Sequence, residues 1–144
     1  MPESDSHVEY FTESYEGART KFLESATNSD AKICSYEHPE YYTPDNEKLS
    51  IDVAVYGPDG ADNACLILSG THGPEGFTGS AAQIALMKSG LLSEYQNDIR
   101  VVLVHAVNPY GFAHISRTTE NNVDLNRNFV DFSTTLPANS RYRE

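Results

Sequence analysis

Two short apolar runs on either side of a helical pattern constrain the fold more than any other feature. Residues 64–70 (ACLILSG) and 99–107 (IRVVLVHAV) each have the length and composition of a strand that is buried on both faces. Between them, residues 76–88 carry apolar side chains at near-helical spacing, and Ser89-Gly90 ends the pattern. Strand, helix and strand in this order predict a βαβ unit, and therefore a largely parallel sheet in an α/β fold.

The flanking segments extend this pattern. Residues 8–25 contain an apolar stripe at spacings of three and four, which predicts a helix: Phe11, Tyr15, Ala18 and Phe22. Residues 48–57 (KLSIDVAVYG) alternate in polarity as a half-buried strand does. Residues 38–47 are rich in turn formers and tyrosine and are predicted to form a loop. The chain after Asn108 is also loop-like and dense in polar side chains.

Composition narrows the function classes. The chain has 144 residues, 39% hydrophobic and 22% charged, as expected for one globular domain. Its net charge of −11 argues against a nucleic-acid partner, which requires a basic surface. We expect no membrane association and a cytoplasmic protein, because the sequence shows neither a secretory signal nor a membrane-spanning run. Cys34 and Cys65 are then expected to be free thiols, with a disulfide between them as the alternative.

A histidine and a glutamate follow the first apolar run, at the edge where α/β sheets bind ligands. His72 and Glu75 lie on a glycine-flanked turn, three residues apart, at the start of the predicted helix. Imidazole nitrogen and carboxylate oxygen are both good Zn²⁺ ligands, and this spacing lets two side chains converge. The alternative is a pair that caps the helix.

A second group of polar residues lies about fifty residues later. Arg117, Asn126 and Arg127 are on loop-like chain, and a guanidinium grips a carboxylate with two parallel hydrogen bonds. An arginine beside a metal can also stabilise the oxyanion of a tetrahedral intermediate. Surface salt bridges are the alternative for these arginines in an acidic protein.

Four separated blocks resemble the zinc metallocarboxypeptidase superfamily in sequence and in order. They are SGTHGPEGF, NPYGF, an arginine and NNVDLNRNF, and the resemblance covers residues 49–132. It is closest to an uncharacterised bacterial-type branch of that superfamily. The resemblance implies a three-layer α/β domain, with a mixed, largely parallel sheet, helices on both faces and the carboxyl-terminal part missing. Residues 1–144 would form one incomplete domain, with an amino-terminal helix in 1–28 and the motif-bearing core in 49–132.

The resemblance also implies roles for individual residues. His72 and Glu75 match the first two zinc ligands, and Arg117 matches the arginine that polarises the scissile carbonyl. Asn126 and Arg127 match the pair that binds the terminal carboxylate of the substrate. Asp124 matches the carboxylate that orients the ligand histidine, a partner that such histidines usually have.

A third protein ligand for a catalytic zinc is not evident in the sequence. Family members take it, and the general-base glutamate, from later in the chain than Glu144. His105, in the second apolar run, is interpreted as a core histidine, with a place near the metal as the alternative; His114 is a weaker candidate for the substrate pocket. His7 and His38 are interpreted as surface residues. We therefore expect this chain to be the amino-terminal part of a longer enzyme and inert alone.

The resulting functional expectation is zinc-dependent hydrolysis of an amide or peptide bond next to a free carboxylate. The expected partner is a small-molecule or peptide substrate that carries this carboxylate; the oligomeric state is left open. One alternative is an aspartoacylase-like deacylase of N-acyl amino acids, which uses the same kind of site. The other is a non-catalytic carboxylate-binding module without a working metal site.

Overall fold

A computed structural model of the chain describes residues 7–94, 99–131, 133–135 and 138. Its four strands are β1 (Lys32–Tyr42), β2 (Lys48–Tyr56), β3 (Ala64–Leu68) and β4 (Arg100–His105). Its α-helices are α1 (Tyr15–Asn28), α2 (Gly73–Lys88), α3 (Leu91–Glu94) and α4 (Pro109–Ala113). Two 3₁₀ helices span His7–Tyr10 and Leu125–Arg127. Among the helices in these ranges, none is long and apolar enough to cross a membrane.

The sheet is mixed, with the strand order β1-β2-β4-β3. β3 and β4 are parallel and joined through α2, which confirms the βαβ unit. β2 is antiparallel to both of its neighbours. The α/β class is therefore confirmed, but the sheet in the described residues is less parallel than predicted. The reason is that β1 and β2 form a hairpin, and a hairpin makes neighbouring strands antiparallel.

The hairpin includes a strand that the sequence pattern did not reveal. Residues 38–47 were expected to form a loop, but His38–Tyr42 belongs to β1 and the turn begins only at Thr43. β1 is an edge strand that is exposed along almost all of its length, so it shows no alternation of apolar and polar residues. The pairing also shifts register between Glu37 and Tyr42, around Pro39, which has no backbone N–H to donate.

The main core lies between one face of the sheet and the helices α1 and α2. Phe22 from α1 and Ile84 from α2 are fully buried against Ala54 and Leu103, which face each other across β2 and β4. A second cluster, around Phe112 and Tyr15, joins α4 to α1 at the carboxyl end of β4. These contacts fix the loops that follow β3 and β4.

The opposite face of the sheet is more open than the sequence predicted. Leu66 and Leu68 of β3 are 61% and 51% exposed, so β3 is not buried on both faces in the described residues. Their partners Val102 and Val104 on β4 are half-buried. The physical reason is that α1 and α2 both pack on the other face, and the described residues contribute no helical layer here.

The two cysteines are free thiols. Cys34 is exposed on β1 and Cys65 is half-buried on β3. They lie on different strands that are not neighbours in the sheet. The disulfide alternative is therefore wrong.

Candidate functional site

The candidate site forms where the chain leaves β3, and the turn after β4 holds it in place. Ser69 donates from its backbone N–H to the Val104 carbonyl at 2.9 Å. Asn108 in turn donates from its backbone to the carbonyl of Gly70 at 2.9 Å. Gly70 has a φ of +69° and lies against Ala106, a conformation and a contact that a side chain would oppose. These hydrogen bonds therefore join the turn after β3 to the turn after β4 at the carboxyl edge of the sheet.

His72 lies at the amino-terminal end of α2 but does not cap it with its side chain. Its backbone is extended, with φ −113° and ψ 141°, and its imidazole makes no capping hydrogen bond. The next residue, Gly73, approaches the Gly111 carbonyl so closely that a Cβ there would overlap it. Gly73 also donates its N–H to the Ser116 carbonyl at 2.9 Å. The capping interpretation of His72 is thus wrong, because its imidazole is directed elsewhere.

The imidazole of His72 is held by Asp124. Nε2 of His72 is 3.0 Å from Oδ1 of Asp124, and both side chains are largely buried. A carboxylate can only accept, so Nε2 carries a proton, and in the neutral ring Nδ1 then has the lone pair. Nδ1 faces the Glu75 carboxylate, with 3.7 Å to Oε1. One ring nitrogen is therefore fixed by a carboxylate and the other is open for a ligand, which is the usual arrangement of a metal-binding histidine.

Asp124 is the centre of a wider set of contacts. It is the N-cap of the Leu125–Arg127 3₁₀ helix and accepts the Asn126 backbone N–H at 3.0 Å. Its other oxygen accepts from Nε of Arg117 at 2.9 Å. The hydrogen bond from His72, followed by that from Arg117, lowers the pKa of Asp124 to about 2. Asp124 therefore stays ionised and keeps the proton of His72 on Nε2.

The arginines and Asn126 lie around this centre to different degrees. Arg117 donates from Nε to Asp124, and its side chain is 54% exposed. Asn126 contacts Asp124 through its backbone, and Arg127 donates from Nη1 to the Asn126 carbonyl at 3.2 Å. Both side chains are exposed beside the site. The salt bridge of Arg117 is not an isolated surface pair, because its acceptor also holds His72.

The donor set at His72 and Glu75 fits zinc in chemistry and in spacing. When a nitrogen and an oxygen bind one tetrahedral zinc at ordinary Zn–N and Zn–O lengths, the two ligand atoms are about 3.4 Å apart. The 3.7 Å between His72 Nδ1 and Glu75 Oε1 needs only a small side-chain adjustment, since Glu75 is 67% exposed. Within residues 7–94 and 99–131 and the few described residues beyond, no three His, Cys, Asp or Glu side chains form a metal-binding group. The described part of the chain thus offers only these two neighbouring donors, His72 and Glu75, for a metal.

Among the histidines whose side chains the structure describes, neither His105 nor His114 supplies a third ligand. His105 is fully buried, stacks on Phe22 with 4.6 Å between ring centroids, and bonds to Ser80 at 3.0 Å. Burial lowers its pKa to about 4. His114 stacks on Tyr110 and bonds to the Tyr42 carbonyl at 3.0 Å. His105 is therefore a core residue, as interpreted from the sequence.

One polar residue was misjudged from the sequence. His38 was expected to lie on the surface, but its side chain is only 19% exposed and faces Glu120 at 3.8 Å. Nothing in the sequence around either residue indicates this pairing, because it depends on the β1–β2 hairpin and on the loop from Arg117 to Asp124.

The sequence also matches a described family over most of its length. A profile of the family described as "Protein of unknown function (DUF2817)" matches residues 11–144. The chain belongs to the DUF2817 family. No curated protein sequence is significantly similar to this DUF2817 chain.

Solved structures resemble parts of this DUF2817 chain at low identity. A glutaminyl cyclase from Macrostomum lignano is 13% identical, with a TM-score of 0.46 over 65% of this chain and 31% of that chain. Bovine thrombin-activatable fibrinolysis inhibitor, in complex with tick carboxypeptidase inhibitor, is 12% identical, with a TM-score of 0.45 over 72% and 33%. A putative hydrolase from Bacillus subtilis is 11% identical, with a TM-score of 0.35 over 69% and 29%. The matches thus span about a third of the length of these proteins.

Proposed function

We propose that this chain contributes two zinc ligands and the substrate-binding residues of a metallocarboxypeptidase-type hydrolase. The bond cleaved would be an amide or peptide bond next to a free carboxylate. The observation that carries the proposal is the state of His72. Asp124 accepts the proton-bearing Nε2 at 3.0 Å, so Nδ1 faces Glu75 with a free lone pair. A histidine that merely fills space has no need of this oriented, ionised partner.

The residues around His72 have the chemistry that such a reaction needs. Zinc bound at His72 and Glu75 would supply a Lewis acid that lowers the pKa of water and polarises a carbonyl. Arg117 donates from Nε to Asp124, so the terminal nitrogens of its guanidinium would be left to donate to a developing oxyanion. Asn126 and Arg127 lie in the 3₁₀ helix that Asp124 caps, and they would hold the carboxylate of the substrate and so fix the position of the scissile bond.

Metal binding is the test that separates this proposal from a carboxylate-binding module. Zinc affinity would be measured by calorimetry on the whole chain and on the variants His72→Ala, Glu75→Ala and His114→Ala. We expect saturable binding that both His72→Ala and Glu75→Ala weaken by at least about tenfold, since each removes one of two ligands. His114→Ala is the matched control, because it removes a histidine whose contacts are with Tyr42 and Tyr110 and not with Asp124 or Glu75. Binding that is absent, or that is unchanged in both ligand variants, would refute the metal site.

Substrate recognition is tested separately with a pair of ligands that differ only at the carboxylate. An N-acetylated dipeptide with a free carboxyl terminus and its terminal carboxamide would be titrated against the chain. We expect the carboxylate form to bind about tenfold more tightly, and Arg127→Ala to remove the difference. Arg100→Ala is the control, because Arg100 pairs with Asp59 at the opposite end of β4. Equal affinity for the two ligands would contradict the roles of Asn126 and Arg127.

A further inference from the structure

A small cavity lies beside the candidate site and is not used by the chemistry proposed above. Its volume is about 250 Å³, and we call it the His38 pocket. Ile51, Val107 and Pro109 give it apolar walls, and His38 and Glu120 supply polar groups. This volume is below that of a typical pocket for a drug-sized molecule and suits a single side chain.

The two polar groups of the pocket have defined hydrogen-bonding states. Nδ1 of His38 accepts the backbone N–H groups of Glu40 and Tyr41, at 3.3 and 3.2 Å, so in the neutral ring Nε2 carries the proton. Nε2 lies 3.8 Å from Oε2 of Glu120, which is too long for a hydrogen bond. Oε1 of Glu120 accepts from Asn121 at 3.0 Å, while Oε2 accepts from none of the described residues. One oxygen of this carboxylate is therefore available to a ligand.

The charge balance of the pocket favours a cation. The side chain of Glu120 is only 18% exposed, and none of the described residues that line the pocket is a lysine or an arginine. Glu37 also lines the pocket, but its carboxylate is paired at 3.5 Å with Lys48, which does not line the pocket. A largely buried carboxylate with a free oxygen is stabilised most by a charged hydrogen-bond donor. We propose that the His38 pocket binds an aliphatic side chain that ends in an amine or a guanidinium.

The position of the pocket links this ligand to the candidate site. The loop from Arg117 to Asp124 contacts His72 through Asp124, and Glu120 in its middle lines the pocket. Asn108 lines the pocket as well, and its Nδ2 donates to the carbonyl of Thr71, the residue before His72, at 3.4 Å. The pocket would therefore select substrates with a basic residue, an assignment that rests on the proposed function. Binding of the cation itself does not depend on it.

The test compares two ligands that share their carbon chain and differ in the terminal amine. Nα-acetyl-lysine and Nα-acetyl-norleucine would be titrated against the metal-free chain, with the methyl NMR signals of Ile51 and Val107 as the readout. We expect the lysine ligand to shift both signals and to bind at least about tenfold more tightly, the effect of one charge-assisted hydrogen bond. Unmoved methyl signals or equal affinities would overturn the proposal.

Variants assign the preference to one carboxylate. Glu120→Gln should reduce the lysine preference to about threefold or less, and Glu120→Asp should retain part of it. Glu24→Gln, on the exposed side of α1, changes the net charge equally and should leave the preference intact. If the Glu120→Gln variant still prefers the lysine ligand as strongly as the unchanged chain, the proposal is contradicted. If Glu120→Gln does not fold, the Glu120→Asp variant decides: a lysine preference equal to that of the unchanged chain contradicts the proposal. Lysine binding without zinc binding would refute the proposed function alone, and zinc binding without lysine preference would refute this inference alone.

Discussion

Two histidines near the carboxyl edge of the sheet have similar sequence settings but opposite environments. His72 follows β3 and His105 ends β4, and each uses Nε2 for one side-chain contact at 3.0 Å. The partner of His72 is the ionised Asp124, whereas the partner of His105 is the Ser80 hydroxyl. The second nitrogen of His72 faces Glu75, whereas Nδ1 of His105 is buried without a partner among the described residues.

The difference shows what separates a histidine available for chemistry from a structural one. Burial between Phe22 and Phe112 lowers the pKa of His105 to about 4, so the ring stays neutral and is inaccessible to a ligand. His72 has a fixed tautomer and a free nitrogen that points toward a second metal-competent group. Both histidines lie at the carboxyl end of an apolar strand, but only His72 has a charged partner and a ring nitrogen that a ligand can reach.

The largest expected contrast is in stability. His105→Ala removes a ring that is packed against two phenylalanines and leaves the buried Ser80 hydroxyl unpaired, which should lower the free energy of unfolding by about 3–5 kcal/mol. His72→Ala should lower it by about 1 kcal/mol, because Asp124 keeps its bonds to Arg117 and Asn126. Denaturant unfolding of both variants measures this. Losses of equal size would erase the distinction between the two histidines.

The second largest expected effect is a loss of folding stability at acid pH, caused by His105. The pKa of His105 is about 4 in the folded chain, lowered by burial from 6.5, so the unfolded state binds more protons between these values. The stability contributed by neutral His105 is thus complete above pH 6.5 and is lost as the pH falls toward 4, by about 3 kcal/mol in total. Nearby Asp52, which favours protonation, and Arg19, which opposes it, should leave this direction unchanged.

The measurement for this pH effect is the free energy of unfolding at several pH values between 7 and 4, for the unchanged chain and for His105→Gln. The glutamine variant cannot titrate, so its stability should fall less steeply over this range. Parallel curves for the two proteins would show that His105 does not cause the acid dependence.

The third expected effect is a loss of zinc affinity when Asp124, the carboxylate bonded to His72, is replaced. Asp124→Asn keeps the size of the side chain but weakens the hydrogen bond that fixes the tautomer of His72. We expect zinc affinity to fall about 10- to 100-fold, as for other partners of metal-binding histidines. Ser80→Ala removes the corresponding partner of His105 and should leave zinc affinity unchanged. An equal loss in both variants would point to a general effect of folding.

The smallest expected effect is the change in stability when Glu75 is replaced, a substitution that should weaken zinc binding but leave the fold intact. Glu75 is 67% exposed in the first turn of α2, so Glu75→Gln should change the free energy of unfolding by no more than about 0.5 kcal/mol. The same variant should weaken zinc binding, because an amide is a poorer zinc ligand than a carboxylate. A large loss of stability would assign Glu75 a structural role instead.

Periodicity predicted β2, β3, α2 and β4 because each has apolar residues at the spacing of its own element. It missed β1, since an exposed edge strand with a proline buries too little to leave a pattern. It also overestimated the burial of β3, because an apolar run does not reveal whether Leu66 and Leu68 are covered. Local spacing therefore predicted the helices and strands, whereas the burial of each face of the sheet depended on which helices pack on it.

The site was predictable where side chains lie close in sequence or match a family motif. The proximity of His72 and Glu75 follows from their spacing, and the contact of Asp124 with His72 was expected only from the resemblance. The pairing of His38 with Glu120 left no signal, because it joins an edge strand to a distant loop. Contacts of this kind depend on the three-dimensional arrangement and not on a local pattern.

The state of the two imidazoles during zinc titration tests the central claim most directly. Nitrogen-15 NMR of the histidine rings distinguishes protonated, free and metal-bound nitrogens in one spectrum. We predict that Nε2 of His72 is protonated without metal, that its Nδ1 signal shifts on zinc addition, and that both His105 signals stay unchanged. A His72 ring that does not respond to zinc, or a response at His105 instead, would contradict the account.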